Sequence, residues 1–338
     1  MIEPNRIPRP TTRLGLQIPN FTYDGVAPER LFGAVADQAV AAEQSGFDSI
    51  FVMDHFFQLP MLGPTDNEMF EAYTLLGALA ARTQSARLGT LVTGVTYRHP
   101  AVLAKILSTL DVISGGRALL GIGAAWFDVE HHALGIPFPP ITERFEHLRD
   151  ALEITTRMFT RPTSTYDGVH HSIAEAHNAP SPIHGRIPVM IGGAGERKTF
   201  RLAAEYADEL NAICNFAEIP SKLEALQGHL DDLGRSRSDI TVSTLGFLAI
   251  ADTEQAARRQ VLPYVQALGL DPDDVFADRT AAEATLGRVI WGEPDQVADQ
   301  VRRLMGLGLD SLIVNMPFDH DPDSVALAGE TLTKALAG

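Results

Sequence analysis

Gly46-Phe47-Asp48-Ser49-Ile50-Phe51-Val52 and Gly308-Leu309-Asp310-Ser311-Leu312-Ile313-Val314 are the two stretches that decide the fold. Each reads as a helix stopped at glycine, a tight turn, and a short apolar run rich in β-branched or aromatic residues. That is the pattern of a strand buried on both faces. The same αβ unit near both ends of the chain fits a sheet that closes on itself as a (β/α)8 TIM barrel. A doubly wound open sheet meets the same pattern. Working outward, strand-like runs fall at 14–19, 49–53, 88–92, 118–122, 189–191, 209–213, 241–250 and 311–315. Helical stretches separate nearly all of them. Pro28, Pro100 and Pro294 sit where helices start. A long helix over 142–159 carries Phe145, Leu148, Leu152 and Phe159 on one face. Residues 161–186 break the rhythm with Pro162, Pro180, Pro182 and a turn at Asp167-Gly168, and read as an insertion with a short hairpin and a loop. Beyond the seventh strand, helices are expected near 253–268 and 281–289. The whole chain, 1–338, is expected to form one barrel domain with 161–186 inserted in it.

Composition narrows the function classes. The 338 residues are 45% hydrophobic and 21% charged, which excludes disordered and collagenous chains. Lys and Arg total 27 against 43 Asp and Glu, and a net charge of −16 makes nucleic acid and anionic membranes poor partners. The lone Cys214 permits no internal disulfide and no cysteine metal cluster. Residues 1–13 are polar and rich in Pro and Arg, without the apolar stretch of a secretory signal. No apolar run reaches the about 18 residues of a membrane span. The expectation is a cytoplasmic protein.

In either architecture chemistry belongs at the C-terminal ends of the strands. After the second comes Asp54-His55-Phe56-Phe57. An imidazole beside a carboxylate orients a polar ring or moves a proton; a histidine that only bonds the next loop reads the same way. After the third, Thr90-Leu91-Val92-Thr93-Gly94 fits a bulged strand end close to a ligand, and also an ordinary β-branched strand. After the fourth, Gly121-Ile122-Gly123-Ala124-Ala125-Trp126 starts like a dinucleotide fingerprint but lacks its third glycine. It leaves a platform of small residues beside an aromatic. Glu130-His131-His132 lacks the i, i+4 pair of helical zinc sites, so no metal is expected. After the fifth, Gly192-Gly193-Ala194-Gly195 runs through Glu196-Arg197-Lys198 into a helix. Open backbone at a helix start suits an anion, although the spacing is not that of a P-loop. A glycine-rich turn with surface charges is the other reading. Asn211 and Asn315 stand where strands six and eight end, and serve a ligand or the backbone.

Four stretches taken in order resemble the bacterial luciferase-like family: FDSIFVMDHFF (47–57), RLGTLVTGVTYRHPAVLAK (87–105), LDVISGGRALLGIGAAWFDVEHHALGIPFPP (110–140) and IPVMIGGAGERKTFRLAAEYAD (187–208). Within that family they are most similar to an actinobacterial branch dependent on F420, an 8-hydroxy-5-deazaflavin coenzyme. The resemblance implies a (β/α)8 barrel with an insertion. It implies coenzyme contacts at Asp54 and His55, at Thr90-Leu91, along Gly123-Ala124-Ala125 and in the Gly192-Gly193-Ala194-Gly195 phosphate loop, with Asn211 counted among them. It further implies a non-prolyl cis peptide in the third-strand bulge, carried here to the Thr90–Leu91 bond, pressing on one face of the ring. The sugar-phosphate dehydrogenases of the family carry a glutamate proton donor where this chain has Trp126, so glucose 6-phosphate oxidation is not expected.

The function expected from this resemblance is hydride transfer between the deazaflavin C5 and a small organic substrate. His55 would bond the reacting centre or relay a proton, Asp54 would set its orientation, and Phe57 and Trp126 would wall the substrate pocket. The alternatives are an FMN-dependent luciferase-like monooxygenase, served by the same barrel and phosphate loop, and a non-catalytic protein that binds deazaflavin or flavin. A homodimer is the family's usual state.

Overall fold

The structure is a computed structural model that describes residues 11–337, so most of the stretch 1–13, and the expectation made of it, lies outside the described residues. Eight strands form the ring: β1 (Leu14–Ile18), β2 (Ser49–Val52), β3 (Arg87–Thr90), β4 (Ala118–Gly123), β5 (Val189–Gly193), β6 (Glu209–Ala212), β7 (Thr241–Ile250) and β8 (Ser311–Asn315). Every neighbouring pair is parallel, and the β7–β8 and β8–β1 pairings close the ring. The open-sheet alternative is thereby excluded. The two echoing stretches occupy equivalent places, since β2 and β8 flank β1 on its two sides.

Helices wrap the ring: α1 (Pro28–Ser45), α2 (Ala72–Ala80), α3 (Pro100–Ser114), α4 (Asp128–Leu134), α5 (Ile141–Thr160), α6 (Thr199–Tyr206), α7 (Ile219–Leu233), α8 (Glu254–Ala267), α9 (Pro272–Val275), α10 (Arg279–Leu286), α11 (Pro294–Met305) and α12 (Pro322–Ala337). α1, α3 and α11 start at Pro28, Pro100 and Pro294, where a missing N–H costs no intrahelical bond. α1 stops at Gly46 in the left-handed region. The main core lies between this helical shell and the outer strand faces, with Leu148, Leu152 and Phe159 of α5 buried in it. Phe51, Leu91, Leu119, Met190 and Ile313 fill the inside of the barrel.

The expected helix at 281–289 is corrected. α10 ends at Leu286, Gly287 takes φ 60°, and Val289–Gly292 is a strand alongside the last four residues of β7. Its Val-Ile-Trp run buries a β-branched and aromatic face, including the fully buried Trp291, which a helix here would turn partly outward. Within the irregular 161–186 segment, Thr163–Asp167 and Ser172–His177 pair antiparallel as a two-stranded sheet separate from the ring. No helix among the described residues is long and apolar enough to cross a membrane.

Candidate active site at the barrel mouth

Because all ring strands run parallel, their C-terminal ends open onto one rim. Asp54 and His55 follow β2, residues 91–98 follow β3, 124–130 follow β4, and 194–198 follow β5, so the candidate groups share that mouth.

His55 is held by a residue far along the chain. Its Nδ1 lies 2.7 Å from Glu130 Oε1, on α4. Glu130 is completely buried. Its Oε2 accepts from the Phe56 and Phe57 amides at 2.7 and 3.2 Å, and its Oε1 also accepts from the Tyr97 hydroxyl. Burial raises the Glu130 pKa, but His55, Tyr97 and the Phe56 amide outweigh it, and the carboxyl is held below its ordinary value. Tyr97 is pushed well above the ordinary phenol value, by burial and then by Glu130, and remains the donor. A carboxylate that accepts from Nδ1–H leaves Nε2 of the neutral imidazole as the acceptor. Trp126 and Phe127 stand edge-on to the His55 ring, with centroids 5.9 and 5.8 Å away.

Asp54 therefore does not orient His55. Its carboxylate is taken by Arg98, at 2.6 and 3.0 Å to the two guanidinium nitrogens, and Arg98 also pairs with Glu71. Asp54 is 1% exposed. At that depth a bidentate guanidinium is the partner that compensates a carboxylate, whereas an imidazole offers one bond. Burial pushes the Asp54 carboxyl up while Arg98 pulls it down. The pair fixes the loop after β2 to the loop after β3.

The end of β3 departs from its expected geometry by one residue. The non-prolyl cis bond is Leu91–Val92, not Thr90–Leu91. Thr90 is still in register with Val52, and the Leu91 amide still bonds the Val52 carbonyl at 3.0 Å, so the ladder holds the chain until Leu91. The Leu91 carbonyl accepts from Gln17 Nε2 at 2.8 Å, and Asn315 Nδ2 donates to Gln17 Oε1 at 2.9 Å. Thr90 Oγ1 contacts Thr93 Oγ1 at 2.9 Å and donates to the Gly121 carbonyl at 3.0 Å. Val92 then fills a niche lined by glycine. A Cβ at Gly192 would lie 2.7 Å from Val92 Cγ1, and one at Gly123 3.0 Å from Val92 Cγ2. Packing against β3 thus accounts for these two glycines before any ligand is considered.

Beyond Gly123, Ala125 has φ 60°, and Arg144 holds the turn by donating to the Ala124 and Ala125 carbonyls at 3.2 and 2.5 Å. In the glycine loop Gly193 has φ 150°, and Ala194 and Gly195 are exposed ahead of α6. Lys222, on α7, places its Nζ 3.3 Å from the Ala194 carbonyl and 2.7 Å from Glu196 Oε1. Asn211 is fully buried and donates to Ser243 at 2.9 Å. Its Oδ1, like that of Asn315, has no hydrogen-bond partner among the described residues. Trp126 is 57% exposed at the rim, while Phe57 packs in a small cluster with Met53, Leu59, Leu62 and Phe127. His131 spends both nitrogens on structure, bonding Thr96 Oγ1 at 2.6 Å and the Phe127 carbonyl at 2.7 Å.

Sequence reasoning missed Glu130 as the partner of His55, Arg98 as the partner of Asp54, Tyr97 and Lys222. An acidic residue in the first turn of a helix just beyond a strand end was the available sign for Glu130. Lys222 lies on α7, one strand and one helix removed from the glycine loop, and carries no local signal.

Comparison with known proteins places this geometry among relatives. A sequence model described as luciferase-like monooxygenase matches residues 12–311. A protein of Nakamurella multipartita named F420-dependent glucose-6-phosphate dehydrogenase is 29% identical, covering 94% of this chain and 96% of its own. Among solved structures, the coenzyme F420-dependent tetrahydromethanopterin reductase of Methanopyrus kandleri superposes with a TM-score of 0.76 at 21% identity, over 96% of this chain and 99% of that one. The EDTA monooxygenase of Chelativorans sp. BNC1 superposes with a TM-score of 0.80 at 17% identity, over 96% and 93%.

Proposed function

We propose, because the chain belongs to the luciferase-like monooxygenase family, that it is an F420-dependent oxidoreductase acting on a small organic substrate that carries no phosphate. The observation that carries this reading is the His55–Glu130 pair at the mouth, with Trp126 against it. The coenzyme comes from the relatives, which are named for F420.

The residues present fit a deazaflavin. The orphaned Oδ1 atoms of Asn211 and Asn315 suit the N–H edge of a heterocycle. The Gly192–Gly193 end of β5, the exposed turn before α6 and the Lys222 ammonium suit a phosphate. Leu91-Val92 and Gly123-Ala124-Ala125 would flank the ring, and Asp54 holds the loop beside it. When bound, such a coenzyme supplies two-electron hydride chemistry at C5.

The protein's own part is positioning and proton handling. Glu130 fixes the tautomer of His55, so that Nε2 accepts a proton from a substrate hydroxyl during oxidation or returns it during reduction. Tyr97 and the two amides keep Glu130 anionic, which steadies the imidazolium once formed. Trp126 offers an apolar wall where a sugar phosphate dehydrogenase would need a polar group.

The test is direct. Purified protein is titrated with F420 and separately with FMN, and a panel of alcohols, ketones and sugar phosphates is followed by the coenzyme's absorbance. Micromolar F420 binding and turnover of a non-phosphorylated substrate are expected. Tight FMN binding without F420 binding, or oxygen consumption with reduced FMN, would replace this reading with a flavin monooxygenase.

A further inference from the structure

On the outer side of the barrel, α5 and the 163–177 hairpin bring together three imidazoles, His147, His170 and His171, and three carboxylates. Glu143, Glu146, His147 and Asp150 lie three or four residues apart on α5 and so share one face. The hairpin turn docks on that face. Asp150 accepts from the backbone amides of Val169, His170 and His171 at 3.3, 2.7 and 2.9 Å. A Cβ at Gly168 would come 2.4 Å from Asp150 Oδ1, so the close approach needs glycine there. The docked turn lays His170 over His147, ring centroids 4.1 Å apart. Among the described residues, Glu143, His147 and His170 are the only group of three whose ligand atoms all lie within 4.8 Å of one another.

We propose that Glu143, His147 and His170 bind a divalent transition cation of the zinc class, pinning the hairpin to α5. Two imidazoles and a carboxylate are a donor set that such ions favour, and Glu143 and His147 form the i, i+4 helical chelate that Glu130-His131-His132 lacks. The outer contacts are those of a ligating histidine. His147 turns Nε2 toward Glu143, 3.8 Å away, and Nδ1 toward His171 Nε2 at 2.9 Å. A ligand histidine usually commits its second nitrogen in this way. Glu146 Oε2, 2.8 Å from His170 Nε2, steadies the other ring. Tetrahedral coordination at about 2.0–2.1 Å brings ligand atoms within about 3.4 Å of each other. The half-exposed Glu143 side chain and small ring tilts close the remaining gap, and the backbone is already in place through Asp150. Water completes the coordination.

The experiment uses untagged full-length protein stripped with EDTA, titrated with ZnCl2 alone by calorimetry near neutral pH, with thermal unfolding recorded in parallel. One zinc per chain with micromolar or tighter affinity and a raised melting temperature are expected. Glu143→Ala and His170→Asn should each weaken binding at least tenfold and abolish the thermal shift, while His132→Asn, on α4, leaves both unchanged. Glu143 is exposed enough that its removal leaves the apo fold intact, which the apo melting curve verifies. Binding weaker than millimolar, binding unaffected by Glu143→Ala and His170→Asn, or binding lost with His132→Asn would each overturn the proposal.

Discussion

Replacing Glu130 by glutamine tests the arrangement at the mouth most sharply, because shape is kept while one charge is lost. The buried carboxylate accepts from four donors, two of them backbone amides that cannot turn round. The glutamine carbonyl must therefore face Phe56 and Phe57, and its NH2 group must face His55 and Tyr97. Tyr97 can rotate its hydroxyl to accept. His55 can accept only by moving its proton from Nδ1 to Nε2. Four bonds to a charged acceptor, each contributing about 1.5–3 kcal/mol, become neutral bonds of about 0.5–1.5 kcal/mol. The relieved cost of burying a carboxylate offsets much of that difference, leaving a destabilisation of about 2 kcal/mol. Urea unfolding measures it, and 15N-histidine spectra read the tautomer directly. Turnover should fall at least 10²-fold, as when a general base is lost, while coenzyme affinity changes less than threefold. If stability stays within about 0.5 kcal/mol of the parent and the Nδ1–H tautomer persists, the Glu130–His55 reasoning is wrong.

Three further outcomes follow from other parts of the molecule. Gly192→Ala drives a Cβ to 2.7 Å from Val92 Cγ1 and should destabilise by about 1–3 kcal/mol; adding Val92→Ala should recover at least half of that in urea unfolding, whereas independent sites would simply add. Lys222→Met removes the ammonium beside the glycine loop and should weaken coenzyme binding about 5- to 10-fold, with an unchanged melting temperature, as read by fluorescence titration. His171 is held down to about 4, by burial first and then by His147 and His99. The unfolded chain protonates near the ordinary 6.5, so stability should drop as pH falls from 6.5 toward 4. The loss is about 1 kcal/mol once solvent screening of this partly buried ring is allowed for. Metal-free protein should show that drop between pH 7 and 5, and His171→Gln should flatten it; an equal drop in both proteins would exclude His171 as its source.

The ring was readable because its signals are local. Each strand is a short apolar run between a helix stop and a polar loop, and all eight expected runs became ring strands. The strand at Val289–Gly292 was missed because a preceding helical pattern ran into it, and only Gly287 marks the break. At the mouth, residue types were legible but partners were not. Asp54 and His55 are adjacent in sequence, so pairing them is the natural inference, yet successive residues leaving a strand point apart. His55 reaches α4 and Asp54 reaches the loop after β3. The cis bond was displaced by one residue because register is set across the ladder to Val52, which no local motif reports.

The distribution of positive charge is the strongest structural argument about the substrate. A phosphate-bearing substrate is recognised most strongly by a cation free to meet it near the reacting centre. Two guanidiniums at the mouth are already committed. Arg98 is consumed by Asp54 and Glu71, and leaving Asp54 would strand a buried charge. Arg144 is consumed by the Pro139, Ala124 and Ala125 carbonyls. Lys222 serves the glycine loop from the far side of β5 and β6. Trp126 then places an exposed indole where recruitment of an anion would require the opposite chemistry. Substituting glutamate at Trp126 alone would therefore not create a sugar phosphate dehydrogenase. It would add a negative charge beside His55 and its buried partner Glu130, and should lower turnover of the native substrate without yielding measurable oxidation of glucose 6-phosphate. Activity of Trp126→Glu on glucose 6-phosphate would show that a cation outside this set recognises the phosphate.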